Sequence, residues 1–436
     1  MLIYGPGYEA RDEERVEYMQ GTRFRLFPQP QFLKDFAEPE TVMVSSVAGS
    51  LGPGPSDDRM YAIFPIGKTE PYGIAPDGSA VLTPAWQGAI EEPAYPDAEG
   101  NFDYLEPGTP QFETAHLFGT VRFVMDIWEG YFGREIPWQS DGTYDRVELT
   151  ILPSLENAYS GFGFLEMGGD RSDGGYTPFS LNFDVIAHEL GHAIIYSEVG
   201  VPDPNNVTGE YFGFHESAAD LVALISSLHF NSLVDLLLEQ TRGNLYTLNA
   251  ASRIAELSEN KQIRVAANDS RLCEFAKGWV KEHHLAQPLT GAFFDIFVDI
   301  FHEMLLDYDA ITPELEDMSD QLLATPEYAT VMQEMFDEAF AANPEAFKLA
   351  LIDARDILGT YLADTWKELK NADLNFVDVA DLFVEVDFRH TGGRFERLIR
   401  GNFDMRDIGF VEVGPQLKPL DKGSHANSVR TMVPID

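Results

Sequence analysis

The chain has 436 residues, and its 72 acidic against 30 basic residues give a formal net charge of −42. Nucleic acid and anionic membranes would be repelled by this charge, so neither is expected as a partner. An apolar content of 44% predicts a soluble globular protein, and the length predicts two packed lobes. Cys273 is the only cysteine, which excludes an intrachain disulfide and a thiolate metal cluster.

The N-terminus gives no sign of export. Its first 21 residues carry four glutamates among few apolar residues, and they lack the basic start and apolar core of a secretory signal. No apolar run approaches about 18 residues, so no transmembrane helix is expected. A cytoplasmic or otherwise non-exported protein is predicted, although a processed mature chain would look similar. The oligomeric state is left open.

Residues 1–112 are rich in glycine and proline and carry short apolar runs at 41–44 and 60–64. Apolar runs between turn-forming residues predict strands. We therefore expect a β-rich, irregular N-terminal region.

Residues 113–184 are expected to combine a helix with strands. Apolar residues recur at helical spacing over 114–132, which predicts an amphipathic helix of about five turns. At 147–151 apolar residues alternate with Glu148 and Thr150, which predicts a strand with one buried face.

A nine-residue stretch, 184–192, carries the strongest chemical signal. Within it, His188, Glu189 and His192 form an H-E-x-x-H pattern. Residues four apart lie on one face of a helix, so both imidazoles can bind one metal ion while Glu189 acts as a general base. The alternative is a structural helix with two histidines on its polar face.

A catalytic zinc site needs a third protein ligand and an open position for water. Glu216 lies 24 positions after His192, on a helix predicted to begin near Phe214 after a loop over 200–209. It can complete a His/His/Glu set, and Asp220, one turn later, can bond the far nitrogen of a ligating imidazole. Two solvated acids are the alternative, but the residues around them are apolar. The predicted cofactor is Zn²⁺.

The chain resembles the thermolysin-type gluzincin metallopeptidases over roughly residues 114–300. In that family the zinc helix is preceded by Asp-Val-Val-Ala, and here Asp184 opens Asp-Val-Ile-Ala. The family's next helix carries N-E-x-x-S-D, which resembles residues 215–220. Its edge strand ends in Asn-Ala-Phe, similar to Asn157, Ala158 and Tyr159, and residues 290–295 resemble the segment after its second catalytic histidine.

The resemblance implies a peptide or protein substrate whose backbone is bound by Asn157, with Ala158 and Tyr159 beside it. It also implies a histidine and a tyrosine that stabilise the oxyanion of the transition state. His283 or His284 is the candidate histidine, with a slight preference for His284. Two solvent-exposed histidines at a helix end are the alternative. Tyr211 is the nearest candidate tyrosine, and Tyr159 and Tyr196 are weaker ones.

Several positions depart from the family pattern. His215 stands where the family has asparagine, and Ala219 where it has serine. The family's double calcium site uses an aspartate like Asp184, but Ser226 and Ser227 stand where a second acid is needed. Calcium at this place is therefore not supported by the sequence.

The predicted fold is α+β, with a β-rich N-terminal lobe, a mainly helical C-terminal lobe and the zinc site in the cleft between them. Four parts are expected: the N-terminal region 1–112, a helix with strands over 113–184, a helical catalytic lobe over 185–388, and an irregular tail over 389–436. Helical patterns in the catalytic lobe cover 292–306, 326–341, 345–369 and 375–386.

The predicted function is zinc-dependent hydrolysis of peptide bonds, most simply by an endopeptidase. One alternative is a zinc aminopeptidase on the same catalytic lobe, with acids from residues 1–112 holding the substrate amine. Another is a non-catalytic zinc-binding or scaffold protein that retains the fold.

Overall fold

The computed structural model describes residues 21–31, 33–74, 80–171, 175–203, 205–246, 253–258, 261–322, 328–409, 414, 433 and 434. The acidic stretch 1–20 and most of the tail after residue 409 lie outside the described residues. The start of the helix predicted for 326–341 lies outside them as well.

The N-terminal region contains the expected strands, including those predicted at 41–44 and 60–64. Its strands are β1 (Gly21–Leu26), β2 (Glu40–Val47), β3 (Met60–Ile63), β4 (Gly73–Ile74) and β5 (Ala80–Leu82). Strands β1 and β2 pair antiparallel, as do β4 and β5. Strand β3 instead joins a larger sheet with later strands.

Helix α1 (Pro110–Phe132) confirms the helix predicted from apolar spacing. Its start is fixed by Thr109, whose side chain accepts a hydrogen bond from the Phe112 amide, and by proline in the first turn. Its end is fixed by Gly133, whose φ of 67° favours glycine. The helix packs against β1, β2, β3 and β6.

The main sheet contains β6 (Val147–Ile151), β7 (Ala158–Gly161) and β8 (Phe164–Met167). Strands β3, β6 and β8 run parallel, and β7 pairs antiparallel with β8. Two short strands, β9 (Gly169–Asp170) and β10 (Thr177–Pro178), pair with each other and lead into the next helix.

The half-buried strand predicted at β6 is buried on both faces, so that part of the prediction was wrong. Glu148 and Thr150, expected to face solvent, are 1% and 0% exposed. The Glu148 carboxylate accepts hydrogen bonds from the Tyr61 and Tyr72 hydroxyls and from the Trp86 amide. These donors offset the cost of removing the carboxylate from water, which is why a charged residue is tolerated there.

The C-terminal part is mainly helical. Its elements are α2 (Phe183–Glu198), α3 (Gly209–Ser227), α4 (Asn231–Thr241), β11 (Arg253–Ser258), β12 (Lys261–Val265), α5 (Glu282–Asp307), α6 (Pro313–Leu322), α7 (Tyr328–Ala342), α8 (Pro344–Glu368), α9 (Phe376–Thr391), α10 (Glu396–Met405) and β13 (Val433–Pro434). Helix α3 packs against both α2 and α5, and α5 packs in turn against α8. Because α3 has neighbours on both sides, its residues from Gly213 to its end at Ser227 are all buried.

The fold is α+β, as predicted, with strands concentrated before α2 and helices after it. The four-part division of the chain stays a prediction. Helix α10 lies in the tail for which no periodicity was recognised. Ile399 and Phe403, four residues apart among charged residues, form its buried side.

No single helix among the described residues is long and apolar enough to cross a membrane. Among the described helices, the pair α3 and α4 taken together reaches that length and apolarity, and the pair is bent by 94°.

Candidate metal and active site

Helix α2 carries the H-E-x-x-H residues inside the protein. Its first turn is capped by the Asn182 side chain, which accepts a hydrogen bond from the Val185 amide. His188, Glu189 and His192 are each 0% exposed. Each offers a potential ligand atom within 4.8 Å of the other two. Because charged side chains are costly to bury, their full burial favours a site over a solvated helix face.

A close approach of α2 and α3 brings Glu216 to these histidines. A Cβ atom added to Gly191 would lie 2.7 Å from the Ala219 Cα, so only glycine fits against α3 at this point. Helix α3 begins at Gly209, five residues before the predicted start, with Thr208 accepting a hydrogen bond from the Tyr211 amide. The contact between Gly191 and Ala219 therefore sets the distance between α2, which carries the two histidines, and α3, which carries Glu216.

The two histidines and Glu216 are spaced as zinc ligands would be. The Glu216 oxygens lie 3.4 Å from His188 Nε2 and 3.7 Å from His192 Nε2. Two ligand atoms at about 2.0–2.1 Å from a tetrahedral zinc ion lie roughly 3.4 Å apart. The spacing of the three side chains therefore fits a zinc ion.

The other ring nitrogen of each histidine has its own partner. His188 Nδ1 lies 3.0 Å from an oxygen of Asp220, the residue that the sequence placed near a ligating imidazole. His192 Nδ1 lies 2.7 Å from Nδ1 of His215, a contact that the sequence did not predict. With both Nδ1 atoms engaged on the outside, both Nε2 atoms face Glu216. This is the orientation that metal binding through Nε2 requires.

The structure separates the two candidate histidines at the start of α5. His283 is 6% exposed, and its Nδ1 lies 2.7 Å from the Glu216 Oε2. His284 is exposed, so the slight preference for it finds no geometric support. Burial alone would raise the pKa of Glu216, but His283 and His192 outweigh this effect and hold the pKa well below its usual range. Glu216 therefore remains a carboxylate.

Tyrosines lie around the site, but the Tyr211 hydroxyl is bonded elsewhere. It donates to the Gly200 carbonyl at 2.9 Å, and its ring centre lies 5.7 Å from that of His215. The Tyr196 ring centre lies only 4.2 Å from that of His215. Burial raises the pKa of Tyr196, and the carboxylates of Glu216 and Glu189 raise it further. Tyr196, which the sequence made a weaker candidate than Tyr211, therefore lies close enough to both carboxylates for their charge to act on its hydroxyl.

The predicted substrate strand is β7, which packs against α2. Asn157, just before it, accepts a hydrogen bond from the amide of Ala158 through its side-chain oxygen. One edge of β7 pairs with β8, and the other pairs antiparallel with β13, so that Tyr159 lies opposite Pro434. A peptide could therefore add to β7 only by replacing β13.

The residues expected at the family's calcium site are arranged differently here. Asp184 is 3% exposed, and the Gln29 side-chain amide donates to its oxygens at 3.3 and 3.4 Å. Ser226 accepts a hydrogen bond from the Trp128 indole, and Ser227 donates to the Leu224 carbonyl. The two serines thus make hydrogen bonds within the protein.

No protein-family model matches the chain, and no curated protein matches it. Among solved structures, the chain is similar to the precursor of protealysin, a metalloproteinase from Serratia proteamaculans. The similarity covers 82% of this chain and 90% of that one, with a TM-score of 0.48 and 11% sequence identity. A likeness of this degree says nothing about what this chain binds or catalyses.

Proposed function

We propose that the chain is a zinc-dependent peptidase in which His188, His192 and Glu216 hold the metal. The observation that carries this proposal is the convergence of both Nε2 atoms with the Glu216 oxygens in a fully buried cluster. Burying two imidazoles and a carboxylate side by side would be costly in a protein that uses this helix only for packing. A scaffold without metal is therefore the weaker alternative.

Zinc held by these residues would polarise a water molecule and the carbonyl of the bond to be cut. Glu189 accepts the proton of the attacking water and later passes it to the leaving amine. Asp220 orients His188 through its Nδ1. Glu189 is suited to the proton transfer because a carboxylate oxygen of this buried side chain lies within 4.8 Å of a ring nitrogen of each histidine.

The oxyanion of the transition state needs a donor besides the metal. We propose His283 for this role, since its ring reaches the cluster while that of His284 is exposed. Its Nδ1 donates to the Glu216 carboxylate, so Nε2 can donate to the oxyanion only when both ring nitrogens carry a proton. Tyr211 stays a second candidate, although its hydroxyl would first have to leave the Gly200 carbonyl.

Hydrolysis of a peptide blocked at both ends is expected, and it should depend on zinc. An aminopeptidase needs a free amine and would not cut this substrate. Removal of metal with a chelator should abolish the hydrolysis, and about one zinc ion per chain should restore it. The measurement is peptide cleavage followed by quenched fluorescence. Full activity in metal-free protein would refute the proposed function.

Deletion of residues 433–436 is expected to lower KM without changing kcat. A substrate that pairs with β7 must displace β13, and the loss of one backbone hydrogen bond corresponds to a factor of about 2–10. Steady-state kinetics of the full and shortened chains give both constants, and zinc content checks that the site is intact. A synthetic peptide of residues 428–436 should inhibit the shortened chain competitively. An unchanged KM together with no inhibition would place the substrate away from β7.

A further inference from the structure

Two buried imidazoles, His192 and His215, face each other edge to edge. Their Nδ1 atoms lie 2.7 Å apart, and the ring planes differ by only 9°. A ring nitrogen lies about 1.1 Å from its ring centre, so a linear in-plane N–H···N bond of this length separates the centres by about 5 Å. The observed separation is 4.8 Å. The rings are therefore hydrogen-bonded in a common plane and are not stacked face to face.

The surroundings hold the His215 ring in this position. It is 3% exposed and lies near the rings of Tyr196 and Tyr211, whose centres are 4.2 and 5.7 Å away. Its Nε2 has no hydrogen-bond partner among the residues the structure describes. A neutral imidazole donates a hydrogen bond through one ring nitrogen and accepts one through the other.

We propose that His215 is a positioning residue whose Nδ1 accepts the Nδ1 proton of His192. An imidazole that binds metal through Nε2 carries its proton on Nδ1, so this acceptor fixes both the tautomer and the ring direction of His192. The remaining proton of His215 then lies on Nε2. The inference rests on the proposed zinc site.

The choice of a neutral acceptor has an electrostatic reason. Glu189, Glu216 and Asp220 already place three carboxyl groups in this buried region. A further carboxylate behind His192 would add like charge in a medium that screens it poorly. His215 orients His192 without adding that charge, whereas Asp220 orients His188.

Three substitutions separate positioning from packing. His215→Asn puts an amide oxygen at the same number of bonds from Cα as Nδ1, so the acceptor is kept. His215→Leu has nearly the same shape as asparagine but cannot accept a hydrogen bond. His215→Gln carries an amide oxygen one bond further out, where it cannot take the place of Nδ1.

The zinc dissociation constant, measured by competition with a chelating dye, is the readout. We expect His215→Leu and His215→Gln to bind zinc about 10- to 100-fold more weakly, and His215→Asn to stay within about threefold of the natural chain. Unfolding of each variant in excess chelator reports the effect on the fold without metal. Because asparagine and leucine have the same number of side-chain heavy atoms and the same branch at Cγ, loss of the ring itself would weaken both variants.

Equal zinc affinity in the leucine variant and the natural chain would overturn the inference, and so would equally weak binding by the asparagine and leucine variants. In both cases the natural chain still binds zinc and the proposed function stands. A natural chain that binds no zinc would overturn the proposed function and this inference together.

Discussion

Glu189→Gln is expected to keep zinc bound and to lower kcat by a factor of about 10²–10⁴. Glutamine has the shape of glutamate but cannot accept the proton of the attacking water. Glu189 is fully buried beside both histidines, so a neutral residue of equal size leaves the cluster in place. Zinc content and cleavage of the doubly blocked peptide are to be measured on the same sample.

Glu198→Gln is the matched control, because it makes the same chemical change on the same helix. Glu198 pairs with Arg134 at the end of α2, away from the histidines, so we expect kcat to be unchanged. Glu189→Gln with full activity would remove Glu189 from the mechanism. A zinc-free Glu189→Gln variant would instead identify Glu189 as a ligand.

Glu216→Gln is expected to weaken zinc binding by more than about 100-fold. Loss of a residue that only hydrogen-bonds a metal ligand lowers metal affinity by up to about 100-fold, and loss of a ligand itself should cost more. The change removes the charged third ligand while keeping its size. It also removes the negative partner of His283, whose Nδ1 lies 2.7 Å away. Hydrolysis should fall with zinc occupancy, and excess zinc should restore it only in part.

Glu210→Gln provides the control on the same helix. Its carboxylate accepts a hydrogen bond from the Phe376 amide at 2.6 Å and caps the start of α9. We expect zinc affinity to be unchanged in this variant, with only a modest loss of stability. Unchanged zinc affinity in Glu216→Gln would exclude Glu216 as the third ligand and leave the metal with a different donor set.

The metal-ligand candidates could be found in the sequence because helical geometry makes them periodic. His188 and His192 are one turn apart, as are Glu216 and Asp220, and apolar neighbours indicated that both pairs are buried. Two helices joined by a short loop are expected to pack together, so the meeting of the two pairs followed. Each step depended only on local pattern.

Features that depend on distant parts of the chain were not predictable in this way. The burial of Glu148 requires hydroxyls from Tyr61 and Tyr72, which lie over 70 residues earlier. The pairing of β13 with β7 joins segments even further apart in sequence. Such contacts leave no periodic pattern in the sequence, because they form only when the sheet assembles.

The sequence could not decide between His283 and His284 for a related reason. Adjacent residues on a helix point about 100° apart, so the choice depends on how α5 is rotated against α3, which the sequence near the pair does not specify. His215 did carry a signal, since it stands directly before Glu216 where the resembled family has an asparagine. Its role as an acceptor could have been inferred from that exchange.

The central claim is that one zinc ion is bound by His188, His192 and Glu216. Anomalous diffraction from crystals of the natural chain, recorded on both sides of the zinc absorption edge, tests it most directly. We expect one strong peak at about 2.0–2.2 Å from the two Nε2 atoms and from one Glu216 oxygen. A zinc-soaked crystal without a peak there, or with its peak at other residues, would contradict the assignment.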